Sequence, residues 1–136
     1  MRVLLGLALV LMACDPAVST RLTLAPAPHG APPDTLAAAA ISLARRLAVA
    51  HGLRPDSGWA ACTAGFYEAT DSVVDGGRHG PSVGLSLCVA PQPDGALEFR
   101  IDEAITNRWG LKGDSLRREL RDSLVARFGR LAIRVR

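Results

Sequence analysis

Lysine and aromatic residues are nearly missing from this chain. Lys112 is the single lysine among sixteen basic residues, and Trp, Tyr and Phe together make up 4% of the 136 residues. With so few rings the interior has to be filled by aliphatic side chains, and Ala and Leu are abundant. The arginine bias, alongside much Ala, Gly and Pro, reads as the output of a high-GC genome. It does not read as a nucleic-acid surface, because the arginines are interleaved with Asp and Glu and no basic stripe forms. No Walker or dinucleotide pattern occurs, and no Gly-x-Ser-x-Gly elbow is found. His29, His51 and His79 are far apart and lack metal-ligand spacing. No metal, no cofactor and no nucleic-acid partner is therefore expected. Internal repeats are absent. No apolar run approaches the roughly 20 residues needed to cross a bilayer as a helix.

What is present is concentrated at the N-terminus. MRVLLGLALVLMAC places one positive charge at Arg2, an apolar run over residues 3–11, and then Leu11-Met12-Ala13-Cys14. A charged start, a short apolar core and a small residue before the cut form the pattern of a secretory signal peptide. Leu-Met-Ala-Cys resembles the lipobox of bacterial lipoproteins, with Met12 standing where small or β-branched residues are more common. The resemblance covers residues 1–15. It implies removal of residues 1–13, a diacylglyceryl group on the Cys14 thiol and acylation of its new amino group. It also implies export to the cell envelope. Asp15 resembles the signal that retains some lipoproteins on the outer side of the inner membrane; the outer membrane is the other destination. One acyl chain holds a protein only marginally at roughly 0.8 kcal/mol per buried CH₂, whereas two or three on one residue make the attachment permanent.

If Cys14 carries lipid, Cys62 and Cys88 are the cysteines left. In an oxidising compartment two thiols are most simply a disulfide. Beyond the signal, about 120 residues suffice for one modest core. Residues 14–33 hold five of the nine prolines and read as an extended, lipidated tether. Within it only residues 21–24 alternate in a way that suits a short edge strand.

Residues 34–136 read as a single domain. Asp34 suits a helix N-cap, and Leu36, Ala40, Leu43, Leu47 and Ala50 recur at helical spacing, widened by Ile41 and Ala44, up to a stop at Gly52. Residues 58–68, with Trp59 and Phe66, read as a strand. Residues 82–90 and 97–102 alternate with a period of two around a turn at 91–95. Asp114 is a candidate cap for a second helix with Leu116, Leu120, Leu124 and Phe128 on its apolar face. Gly129 ends that helix, and Leu131, Ile133 and Val135 mark a last strand. One greasy face per strand and one stripe per helix predict a two-layer α+β sandwich. Two helices cover one face of a mostly antiparallel sheet of four strands, or five if residues 22–24 pair in. With that fifth strand the order approaches a ferredoxin-like split βαβ.

Clustered reactive groups occur only in the loop 71–81. Its glycines suit an anion nest completed by Arg78 and His79, and His79 near Asp75 or Asp71 suits an acid–base pair. The simpler reading is a polar connection in which Asp and Gly supply turn geometry. Trp109 reads as packing at the core edge, with a binding anchor as the other role. The sequence thus points to a membrane-anchored envelope lipoprotein with a non-enzymatic domain that acts through contact with a small ligand or a protein, an envelope protein being the candidate partner. The competing class is a small envelope hydrolase centred on the 71–81 loop.

Overall fold

The structure, a computed structural model, describes residues 17–26, 33–56, 62–69, 83–104 and 113–136. In chain order these form β1 (Ala17–Leu24), α1 (Pro33–Ala50), β2 (Arg54–Asp56), β3 (Ala64–Ala69), β4 (Val83–Pro91), β5 (Leu97–Ala104), α2 (Asp114–Phe128) and β6 (Ile133–Val135). A 3₁₀ turn over Arg130–Ala132 leads into β6. The α+β class holds, with an open sheet of six strands rather than four or five. The strand missing from the sequence reading is β2, whose Arg-Pro-Asp has no apolar alternation; pairing with β3 makes it a strand.

The six strands lie in the order β2-β3-β4-β5-β1-β6, and every neighbouring pair is antiparallel. β1 is the largest departure from expectation. Proline content assigned residues 14–33 to a tether, yet residues 17–24 form an eight-residue strand held between β5 and β6. Leu22 and Leu24 explain it: both are almost fully buried, each contributing roughly 1.5–3 kcal/mol. Pro26 falls outside the ladder, where a missing N–H costs nothing. Two units interlock as a result. β1 and β4 are joined through α1 with β5 between them, and β5 and β6 are joined through α2 with β1 between them. The β2–β3 hairpin extends the sheet beyond β4.

Both helices contribute to one cluster with alternate residues of the sheet. Leu22, Leu24, Phe66, Leu85, Leu87, Val89, Leu97, Phe99 and Ile101 meet Leu116, Leu120 and Leu124 of α2 there. On α1 the fully buried line is Ala40, Ala44 and Ala48, with Leu36, Ile41, Leu43 and Leu47 packed at its sides. The small residues therefore face the sheet most directly. That choice lets the helix backbone approach closely, and it rotates the buried line away from the leucine stripe the spacing suggested. Ala50, expected on that stripe, is exposed.

The helix ends differ in detail from their sequence signals. α1 begins at Pro33, so Asp34 lies within the first turn rather than capping it; proline suits the first helical position, where its missing N–H is not needed. At the other end the Gly52 N–H donates to Val49 O at 3.0 Å and the Leu53 N–H to Ala48 O at 2.9 Å. This pair of bonds is a Schellman stop, and it requires the positive φ of 77° that Gly52 adopts. α2 is capped by Gly113, without a side-chain cap; Asp114 sits inside the first turn. Leu131, expected in the core of the last strand, is 99% exposed. Gly129, at φ 93° and ψ 151°, swings the chain into the 3₁₀ turn, which throws that side chain outward.

Candidate functional site

Three groups of chemically distinct residues stand out. The first is the bridge between Cys62 and Cys88, whose Cα atoms lie 5.5 Å apart across 26 residues of sequence. Cys88 is on β4 and opposes Gly65 of β3, on the face away from Leu87 and Val89. The bond ties the start of β3 to a central strand.

The second group is polar and mostly buried. Leu97, Phe99 and Ile101 place Glu103 on the core face of β5, where it is 5% exposed. A carboxylate there needs donors. The Gly113 N–H donates to Glu103 Oε2 at 3.0 Å and Arg117 Nη1 at 3.1 Å. Arg117 Nη1 also reaches Asp114 Oδ1 at 3.1 Å. Gly113 is needed here, because a Cβ would sit 2.8 Å from both Glu103 Oε2 and Leu85 Cδ1. This cluster docks the start of α2 on β5. Arg117 Nη1 ties Glu103 and Asp114 together, while among the described residues its Nε and Nη2 are buried without a hydrogen-bond partner. The strand pattern carried a signal for it: extending the alternation two residues past Ile101 puts a charge on the greasy face.

The third group is an apolar groove at the end of the sheet where β1 finishes. Its volume is about 740 Å³, and Leu24, Ala25, Pro26, Leu36, Phe128 and Ala132 form its floor and walls. Arg127, Arg130 and Leu131 also line it. The groove lies where the end of β1, the first turns of α1 and the end of α2 come together. Volumes of 300–1,000 Å³ are typical of ligand clefts, and Leu131, 99% exposed, borders this one.

Of the residues singled out in the sequence, Cys62 and Cys88 are brought together. Cys14, Asp71, Asp75, Arg78 and His79 lie outside the described residues, as do His29, Trp59 and Trp109. His51 has a specific partner: its Nε2 is 2.8 Å from Glu119 Oε2, linking the end of α1 to α2. Among the described residues no group of three or more His, Cys, Asp or Glu is placed to hold a metal ion. Also among them, no helix is long and apolar enough to cross a membrane. No family model, curated protein or solved structure matches this chain.

Proposed function

We propose that the chain is a lipid-anchored protein of the bacterial cell envelope, held by Cys14, whose domain acts by binding an envelope partner rather than by catalysis. The fold is read as an elaborated ferredoxin-like arrangement. The sub-order β6-β1-β5-β4 has that connectivity, and the β2–β3 hairpin is an insertion after α1. The anchor rests on the Leu-Met-Ala-Cys sequence, and the disulfide fits the oxidising compartment an anchored, exported protein occupies.

One observation carries the binding role: the groove bordered by the fully exposed Leu131. It lies at the end of β1 opposite Ala17, seven strand steps or about 23 Å away, so a lipid on Cys14 leaves it free. An apolar segment flanked by acidic residues suits it, since Arg127 and Arg130 stand at its edge.

Site-specific photocrosslinking from position 131 in intact cells tests this reading. Val49, an exposed apolar residue on α1 at 59%, serves as the control position. A discrete adduct from position 131 and none from position 49 is the expected result. Equal labelling from the two positions, or none from either, contradicts it.

A further inference from the structure

The face of the sheet opposite the helices carries a charge arrangement that folding alone does not reward. Arg21 of β1 exchanges both backbone hydrogen bonds with Arg136, at 3.1 and 2.9 Å. On its other side Arg21 stands directly opposite Arg100 of β5. Because the Arg21 backbone groups point toward Arg136, its pairing with Arg100 is of the non-hydrogen-bonded kind, with Cα atoms about 4.5 Å apart and side chains close. Period-two alternation puts all three on the face away from Leu22, Leu24, Phe99 and Ile101. Like charges in direct cross-strand register destabilise a sheet.

Compensation on this face is partial. Asp102 meets Arg100 at 2.9 Å. Arg134 adds a fourth cation and shares a shallow groove with Arg136, Thr23 and Glu98. Four arginine side chains on this face meet Glu98 and Asp102, with Asp94 lining the same groove, and among the described residues the only ion pair within the row Arg100, Arg21 and Arg136 is that of Asp102 with Arg100. Among the described residues, Arg21, Arg134 and Arg136 form no ion pair. A row of guanidinium groups that repel one another is neutralised best by anions from outside, and phosphate accepts two parallel N–H bonds from each fork.

We propose that this face rests on the anionic headgroups of phospholipids, with Arg21, Arg134 and Arg136 engaging their phosphates. Its placement rests on the anchor reading above. Ala17 follows Cys14 by three residues, at most about 11 Å of extended chain, and Arg21 lies four strand steps, about 13 Å, further on. A lipidated Cys14 therefore holds the arginine row near the bilayer surface, while the helices and the apolar groove face away from it.

The test uses the full chain carrying Cys14→Ser, so that acylation plays no part. Its partition onto vesicles of phosphatidylcholine alone is compared with that onto equal phosphatidylcholine and phosphatidylglycerol. Arg2 and the apolar N-terminal run are common to every chain compared and cancel. The parent prefers the anionic vesicles, and Arg21→Gln, Arg134→Gln and Arg136→Gln each weaken that preference about fivefold, as loss of about 1 kcal/mol per arginine requires. Added salt erodes the preference. Equal partition onto both vesicles, or variants that keep the preference in full, would overturn the proposal. Release by free inorganic phosphate, but not by chloride at the same ionic strength, would overturn it in favour of a soluble anion. Anionic preference by this chain stands whether or not Cys14 proves to be acylated in cells, so the two readings fail separately.

Discussion

Glu103 and Arg117 meet at 3.1 Å with their side chains only 6% and 12% exposed. Removing one member of such a pair strands the other charge in a low-dielectric site, and that loss outweighs the net worth of the pair itself. Arg117→Met is expected to lower stability by about 3 kcal/mol in urea denaturation. Glu103→Leu combined with Arg117→Met is expected to cost clearly less than the two single changes added together. Strict additivity would show that the two residues do not act as a unit.

Gly113 is constrained by space rather than by backbone angle. Its φ of −77° suits any residue, but a Cβ would collide with Glu103 Oε2 and Leu85 Cδ1. Gly113→Ala is therefore expected to destabilise the fold by about 1–3 kcal/mol, although alanine is otherwise the better helix former. A stability gain in the same denaturation assay would refute the close packing of α2 on β5.

Two other glycines separate the opposite effect. Neither Gly52 nor Gly129 has any atom within 4 Å of an added Cβ, so substitution there reports backbone strain alone. Gly52, at φ 77°, ends a helix in the manner left-handed residues do, and Gly52→Ala is expected to cost about 1 kcal/mol. Gly129, at φ 93° and ψ 151°, occupies a region open almost only to glycine. Gly129→Ala is expected to cost about 2–3 kcal/mol. Gly52→Asn should recover part of the loss, whereas Gly129→Asn should not. A reversed order of the two alanine variants would contradict this account of the helix ends.

Much of the fold was legible from local pattern, and the misses have identifiable causes. Leu116, Leu120 and Leu124 announced the buried face of α2, and the alternation through Leu85 and Phe99 announced β4 and β5, because one-sided burial imposes those periods. β2 was invisible, since Arg54 and Pro55 are exposed and its pairing with β3 is a tertiary fact. β1 was half visible: Leu22 and Leu24 gave the period, but the surrounding prolines set the composition. Leu131 looked like a core residue because a chain that has turned out of register keeps its hydrophobic letters. The apolar groove had no sequence signal at all, being assembled from three elements that are distant along the chain.

The Cys62–Cys88 bridge closes a loop of 26 residues. On the chain-entropy account its removal costs about 3.5 kcal/mol, by enlarging the conformational freedom of the unfolded chain. The double variant Cys62→Ser, Cys88→Ser should show that loss in urea denaturation, and the reduced parent protein should fall to nearly the same stability. Unchanged unfolding of the parent after reduction would contradict a stabilising crosslink.

Attachment through Cys14 is the claim on which the compartment, the orientation of the sheet and the accessibility of the groove all rest. Mass spectrometry of the N-terminal peptide, from protein recovered from bacterial membranes, tests it most directly. The account predicts a chain beginning at Cys14 whose sulfur carries a diacylglyceryl group. A chain still beginning at Met1, with an unmodified Cys14 thiol, would contradict it.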